Sequence, residues 1–122
     1  MQRKSSSSVK IYYPKHDQGK VVEELRNAIK TLADELGIEK VVLFGSYARN
    51  QYTVASDIDI LVVFDETVCD EDRVYKTVRK RVRLSRLEPH LITKTEYYRV
   101  RELKWIKTLE KEGIVILDSN VV

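Results

Sequence analysis

The 122-residue chain lacks several features that would assign it to a specialised class of protein. Its single cysteine, Cys69, cannot form an intramolecular disulfide, so the sequence predicts a reducing compartment, with the cytoplasm as the default location. Its apolar runs are strand-sized, far short of the roughly 20 residues that span a bilayer. The basic N-terminus is followed by serines instead of an apolar stretch, so no secretory signal is expected.

The chain also has no large excess of positive or negative charge. The formal net charge is +3, although charged residues make up 34% of the chain. A nucleic-acid-binding protein usually carries a stronger basic bias on one face, so nucleic acid is not the favoured partner. Composition alone does not choose between a nucleotide-using enzyme and a binding module.

The chain is long enough for one domain and too short for two. The polar residues 1–16 are predicted to form a flexible N-terminal arm, and residues 17–122 the domain. Apolar spacing predicts a helix from Gln18 to Leu36, with Asp17 as its N-cap and Gly37 at its C-terminal end.

Alternating strand and helix patterns follow. Thr93 and Glu96 fit a capping box, which predicts a helix from Thr93 toward Glu112. The residues of this helix expected to point inward are Tyr98, Trp105, Ile106 and Leu109. A basic helix is predicted over residues 71–86, and a short one after residue 45. Strands are predicted at residues 40–44, 58–64, 87–93 and 114–117. The expected fold is α/β in the broad sense, a two-layer α+β arrangement with a mixed sheet of about four strands flanked by helices.

Gly45 and Ser46 end the first predicted strand. Backbone N–H groups are unpaired where a helix begins, and the partial positive charge there favours an anion. Glycine lets the backbone approach a phosphate closely, and serine adds a hydroxyl donor. Alone, such a pair is more often an ordinary turn.

Asp57 and Asp59 begin the second predicted strand. Residues two apart in a strand point to the same face, about 7 Å apart at roughly 3.3 Å per residue. Two neighbouring carboxylates repel each other, and a divalent cation with hard oxygen ligands, such as Mg²⁺, is the usual remedy. Solvated aspartates at a strand start are the plainer alternative, but the Gly45-Ser46 turn converges on the same place.

At this point the sequence resembles the polymerase-β-like nucleotidyltransferase superfamily. Gly45-Ser46, ten further residues, and Asp57-Ile58-Asp59 follow that family's signature, with Arg49 and the flanking apolar strands also matching. The short length is similar to that of the minimal nucleotidyltransferases, whose genes commonly lie beside that of a HEPN-domain protein. The resemblance covers about residues 20–118.

The resemblance implies a polymerase-β palm-like fold in which Gly45, Ser46 and Arg49 bind the nucleotide and Asp57 and Asp59 hold Mg²⁺. It also implies transfer of a nucleoside monophosphate, from ATP or another nucleoside triphosphate, to an acceptor. In the HEPN-paired members the implied role is that of an antitoxin, which binds its partner and adenylylates it on tyrosine. A domain this small has few residues with which to enclose a nucleobase, so specificity for the nucleotide is expected to rest on the partner.

The sequence departs from the family pattern at the third catalytic carboxylate. His90 stands where the family carries an aspartate, and Glu88, two residues earlier on the same strand face, is the candidate substitute. Both are therefore candidate catalytic residues, although a neutral imidazole cannot replace a negative charge. A hydrogen-bonded histidine without a chemical task is the alternative. The third strand is expected beside the strand of Asp57 and Asp59, with His90 facing the pair.

Three functions stay open at this stage. The first is a nucleotidyltransferase that modifies its partner, and the second is a degenerate relative that neutralises the partner by binding alone. The third is a nucleic-acid-binding module that uses the basic helix, although a solvated helix surface is the preferred interpretation of its charges. Tyr97, Tyr98 and Trp105 are interpreted as core or partner contacts, not as base-stacking platforms. A homo-oligomer is compatible with the sequence.

Overall fold

The computed structural model describes residues 17–119, so the predicted N-terminal arm lies outside the described range. The described chain contains helices and strands in the order α1 (Gln18–Leu36), β1 (Ile38–Phe44), β2 (Ile58–Phe64), α2 (Glu71–Arg81), β3 (Leu87–Thr93), α3 (Lys94–Val100), α4 (Lys104–Glu112) and β4 (Ile114–Asp118).

The strands form one mixed four-stranded sheet in the order β3-β2-β1-β4. β1 pairs antiparallel with both β2 and β4, whereas β2 and β3 are parallel. The expected α+β fold is confirmed, as is the prediction that the third strand lies beside the second. Pro89 is tolerated within β3 because an edge strand has one side without ladder hydrogen bonds.

Helices cover both faces of the sheet, so the domain has three layers and the expectation of two layers was wrong. Because both faces are covered, β2 is almost continuously apolar. The larger core lies between the sheet and the α1–α2 layer, where Ile58 and Ile60 of β2 pack against Leu25, Ile29 and other residues. A smaller core on the opposite face joins the sheet to α3 and α4 around Leu61 and Ile106. The two isoleucines therefore point away from Asp59, as the strand alternation predicts.

The predicted ends of α1 are confirmed. The Asp17 side chain accepts a hydrogen bond from the Lys20 amide at 2.8 Å, which caps the first turn. Gly37 ends the helix in the left-handed conformation, with φ at 68°. Thr93 likewise caps α3 by accepting from the Glu96 amide at 3.1 Å.

Three predicted helices differ from the structure. α2 ends at Arg81 because Val82 adopts an extended conformation, which lets Val82 and Leu84 both reach the core. The helix expected from Thr93 to Glu112 is broken at residues 101–103, and the segment after Gly45 is a turn and not a helix.

The break before α4 changes which side chains point inward. Trp105 is 57% exposed and Tyr98 41% exposed, so the expectation that both point inward was wrong. Ile106 is buried, as predicted, and Leu109 packs against the smaller core. Restarting the helix at Lys104 turns Ile106 into the sheet and leaves the indole on the surface.

Within the described residues, no helix is long and apolar enough to cross a membrane.

Candidate functional site

Gly45 and Asp59 lie in contact where β1 ends and β2 begins. Phe44 pairs with Asp59 in the antiparallel ladder, which brings the following glycine against that carboxylate. A Cβ at Gly45 would lie 2.9 Å from Oδ2 of Asp59, and the glycine φ of +79° disfavours any other residue. The structure therefore requires glycine at this position for space and for backbone conformation.

The residues after Gly45 form a compact turn. The Arg49 amide donates to the Gly45 carbonyl at 3.1 Å, and the Gln51 amide donates to the Ser46 carbonyl at 2.8 Å. Asn50 has a φ of 59° and so supplies the left-handed residue with which the turn closes. Ser46 is half-buried within the turn, and the Arg49 side chain is exposed beside it.

The turn is braced by contacts that the sequence did not reveal. The buried ring of Tyr47 stacks on Tyr52 with their centroids 4.2 Å apart, and burial raises the pKa of the Tyr47 hydroxyl. Nε2 of Gln18 donates to the Tyr47 carbonyl at 2.8 Å, and the Gln18 amide donates to the Tyr52 hydroxyl at 3.0 Å. The first turn of α1 therefore holds the loop in place across 29 to 34 residues of sequence.

Asp57 lies just before β2 and forms an ion pair with Arg86. Its Oδ1 is 3.2 Å from a guanidinium nitrogen of Arg86, and Nε of Arg86 donates to the Ser56 carbonyl at 3.3 Å. Arg86 has a φ of 64°, an uncommon conformation for a residue with a side chain. The sequence grouped Arg86 with a basic surface and gave no sign of this pairing.

Asp59 is paired with His90. Nε2 of the imidazole lies 3.1 Å from Oδ1 of Asp59, and the imidazole ring tilts against Phe44 at a centroid distance of 5.2 Å. The parallel pairing of β2 and β3, with Leu61 opposite His90, brings the two side chains together on one face. The structure thus places His90 against an aspartate of the pair, as the strand argument expected.

Glu88 is oriented differently. Its Oε1 accepts a hydrogen bond from the Tyr75 hydroxyl on α2 at 3.2 Å, and Arg79 donates to the same hydroxyl at 3.1 Å. These contacts tie the Glu88 carboxylate to α2. His90, and not Glu88, is therefore the β3 side chain that contacts an aspartate of the pair.

Asp57 and Asp59 are the carboxylates at this site that a hard divalent cation could use. Asp57 and Asp59 supply carboxylate oxygens, with side chains 56% and 27% exposed. Among residues 17–119, no group of three or more His, Cys, Asp or Glu side chains is arranged to hold a metal ion. An ion held by this pair must therefore take its remaining ligands from water or from a bound phosphate, as Mg²⁺ commonly does.

An open cleft of about 630 Å³ adjoins the turn. Phe44, Gly45 and Arg49 form one side of the cleft. Leu103, which precedes α4, and residues of α4 that include Trp105 form the other side. A second hollow of about 360 Å³ adjoins His90 and shares Phe44 and Trp105 with the first. The indole thus contributes to both hollows.

A polar network fixes α3 and α4 on this face. Tyr97 donates a short hydrogen bond to Glu110, while Lys40 of β1 lies 3.2 Å from the Tyr97 hydroxyl and 3.1 Å from Glu110. Burial would lower the pKa of Lys40, but its hydrogen bonds to Tyr97 and Glu110 outweigh that effect and raise it. Burial raises the pKa of Tyr97, and the bond to Glu110 adds to the rise.

Fold and site together define a class of α+β domain in which a glycine turn and two aspartates meet at the ends of the two central strands of a mixed sheet. Residues 22–116 match the family described as "Nucleotidyltransferase domain". That range contains the turn, both aspartates and His90. The chain belongs to this nucleotidyltransferase family.

Relatives agree with this assignment. "Putative protein adenylyltransferase MJ1379" of Methanocaldococcus jannaschii is 50% identical over 46 residues, which cover 38% of this chain and 46% of the relative. "Putative protein adenylyltransferase MJ0141" of the same organism is 28% identical over 98 residues, covering 79% and 95% of the two chains. In the first of these, the match spans about half of the relative's length.

A solved structure supports the fold. A crystal structure from Sulfolobus solfataricus, described as a "putative nucleotidyltransferase", superimposes with a TM-score of 0.52 at 22% sequence identity. The match covers 80% of each chain. At this identity the likeness concerns the arrangement of helices and strands.

Proposed function

We propose that this domain transfers a nucleoside monophosphate from a nucleoside triphosphate, with ATP as the expected donor, to a hydroxyl group on a partner protein. The observation that carries the proposal is the contact between Gly45 and Asp59. It brings a turn suited to phosphate within reach of a carboxylate suited to a cation. Relatives named as protein adenylyltransferases support AMP as the transferred group.

In the proposed reaction, the acceptor hydroxyl oxygen forms a bond to the α-phosphorus and the bond between the α-phosphorus and its bridging oxygen breaks. Pyrophosphate leaves with the bonding electrons, and the hydroxyl proton passes to solvent. The turn residues Gly45, Ser46 and Arg49 orient the triphosphate, and Asp57 and Asp59 would hold Mg²⁺. When bound, this ion supplies charge stabilisation at the phosphate oxygens.

The partner we propose is a HEPN-domain protein, for which this domain acts as an antitoxin. The proposal rests on the resemblance to the minimal nucleotidyltransferases. The hollow beside His90 is where a side chain of the partner that carries the acceptor hydroxyl would enter.

Label transfer tests the proposal. The purified domain is incubated with Mg²⁺, ATP labelled at the α-phosphate and a HEPN-domain protein from the same source. We expect label on the partner, and we expect chelation of Mg²⁺ or the double change Asp57→Asn and Asp59→Asn to abolish it. Asp34→Asn, which removes an exposed carboxylate from α1, is the matched control. Equal labelling by the wild type and the double variant would exclude these aspartates from the reaction.

A second candidate function is neutralisation of the partner by binding alone. It is favoured by one observation, that an imidazole and not a third carboxylate faces Asp59 while Glu88 bonds to Tyr75. The same experiment separates the two functions. Binding without transfer predicts a stable complex in gel filtration, with no label on either protein.

The basic residues of α2 give weaker support to a nucleic-acid function. Arg73 and Arg81 pair with Glu35, and Lys76 pairs with Asp72, so part of the positive charge is already compensated. A phosphate-binding surface needs uncompensated charge along one face. We therefore place nucleic-acid binding behind the two partner-directed functions.

A further inference from the structure

Trp105 lies on the surface although its neighbour in α4 is buried. Its side chain is 57% exposed, and that of Leu103 just before the helix is 48% exposed, whereas Ile106 is fully buried in the smaller core. Packing of α4 on the sheet therefore depends on Ile106 and not on the indole. An exposed tryptophan beside an exposed leucine marks a surface suited to binding a partner or ligand.

The indole borders the same cleft as the turn. Gly45 and Arg49 lie on one side of the 630 Å³ cleft, and Trp105 lies on the other. This volume falls in the range of about 300–1,000 Å³ that is typical of small-molecule sites. A triphosphate bound at the turn would therefore have its nucleoside in a space walled by an aromatic ring.

The chemistry of the cleft matches a nucleobase. Phe44, Leu103 and Leu109 give it apolar walls, and the indole offers a flat face for stacking. Thr108 and Glu112 add a hydroxyl and a carboxylate on the α4 side, where the polar edge of a base can form hydrogen bonds. The hollow on the other side of Trp105 is left for the acceptor, beside His90.

We propose that the cleft between the Gly45 turn and α4 is the nucleobase site of this domain, and that Trp105 is the residue on which the base stacks. The inference rests on the proposed nucleotidyl transfer and adds to it a base-recognition site contributed by this chain. It departs from two expectations drawn from the sequence: that Trp105 is a core or partner contact and not a base-stacking platform, and that specificity rests on the partner.

Trp105 is the only tryptophan, so its fluorescence reports on the cleft without labelling. The domain is titrated with ATP and, separately, with inorganic tripolyphosphate, each with Mg²⁺, and affinities are also measured by calorimetry. ATP should quench or shift the indole emission, and tripolyphosphate should bind without that change. Trp105→Ala should weaken ATP binding about 5- to 150-fold, the range for losing one base–aromatic stack. Trp105→Phe should retain most of the affinity.

Tripolyphosphate affinity should be unchanged in Trp105→Ala. Tyr98→Ala removes an exposed aromatic residue that does not line the cleft, and it should leave both affinities unchanged. Thermal unfolding confirms that each variant is folded.

Three results would overturn the inference. Equal affinity for ATP and tripolyphosphate, with Trp105→Ala altering neither, would leave the phosphate site standing and exclude the base site. Equal loss of both ligands in Trp105→Ala would show a general disturbance of the turn. Loss of partner binding with unchanged ATP affinity would show that the indole docks protein. By contrast, wild-type protein that binds neither ligand contradicts the proposed function itself.

Discussion

The imidazole of His90 lies 3.1 Å from the Asp59 carboxylate, through Nε2 and Oδ1. The histidine therefore lies against Asp59 at the position where the family resemblance implies a third carboxylate. Because the carboxylate can only accept, Nε2 carries the proton in this contact. A cation at Asp59 must displace this hydrogen bond or share the carboxylate with it.

Restoring the carboxylate should strengthen metal binding. His90→Asp should raise Mn²⁺ affinity roughly tenfold, because one added negative charge near the ion contributes more than the ~1.4 kcal/mol that tenfold requires, even with solvent screening. Calorimetric titration with Mn²⁺ measures the change. Mg²⁺-dependent label transfer should increase in parallel.

Glu88→Gln is the matched test of the other candidate. Because Glu88 is engaged with Tyr75, its neutralisation should leave Mn²⁺ affinity within about twofold of the wild type, a change of ~0.4 kcal/mol. If Glu88→Gln abolishes metal binding while His90→Asp has no effect, Glu88 and not His90 occupies the third position in the working enzyme.

Gly45→Val should abolish nucleotide binding and destabilise the fold. The new Cβ would meet Oδ2 of Asp59 at 2.9 Å, and a β-branched residue is strained at a φ of +79°. We expect the free energy of unfolding to fall by about 1–3 kcal/mol in chemical denaturation.

Gly19→Ala is the control for that substitution. Gly19 lies in the first turn of α1, and the nearest atom to an added Cβ is 3.5 Å away. Alanine there should preserve nucleotide binding and raise stability by up to about 1 kcal/mol. Tight binding of nucleotide by Gly45→Val would show that the glycine turn does not approach the phosphates.

Arg86 should compete with a metal ion for Asp57. Arg86→Gln removes the guanidinium from Oδ1 of Asp57, so Mn²⁺ should bind roughly 2- to 5-fold more tightly, which corresponds to ~0.4–1 kcal/mol for an exposed pair. Arg86→Lys retains the charge and should behave like the wild type. The difference should shrink at high ionic strength because salt screens exposed charges. Weaker Mn²⁺ binding by Arg86→Gln would instead show that the arginine positions Asp57 for the metal.

The domain should lose stability in alkaline solution. The pKa values of Tyr97 and Lys40 are raised above their ordinary values of 10.0 and 10.5. Groups with a raised pKa contribute stability that is fully present below the unfolded pKa and is lost as pH rises through the folded one. Unfolding free energy should therefore decline above about pH 10, the ordinary pKa of tyrosine.

Tyr97→Phe should make that decline shallower, because it removes one of the titrating groups. Tyr47 also has a raised pKa and should maintain part of the slope. At neutral pH the variant should lose about 1 kcal/mol, since Glu110 loses a hydrogen bond. Denaturation with urea at several pH values measures both effects, and an unchanged alkaline slope would assign the decline to other groups.

The neighbouring strands that form the site could be predicted from the sequence for a specific reason. The glycine turn and the Asp-x-Asp strand were expected to converge on one place, which agrees with the pairing of β1 and β2. The third strand was expected beside the second because His90 or Glu88 must share a site with the aspartates, and β3 does lie there. The alternation of Asp59 with Ile58 and Ile60 also predicted which face each side chain joins. These inferences depend on the two-residue periodicity of a strand and on the requirement that the residues of one site lie close together.

The contacts that were missed depend on tertiary structure. No glycine or proline marks the break between α3 and α4. The apolar spacing therefore predicted one continuous helix through the break, with Trp105 on its buried side. The left-handed conformation of Arg86 has no sequence signal, since glycine or asparagine is the usual residue there. The bond from Gln18 to Tyr52 joins residues 34 positions apart, and polar residues give no periodic pattern that would indicate it.

That bond has a practical consequence for the choice of substitutions in α1. Gln18 contacts the turn from the side of α1 and lines neither of the two hollows. A substitution of Gln18 would therefore loosen the turn without removing any group that a ligand in either hollow can touch. The position of the turn can in this way be altered separately from the surface that the ligand meets.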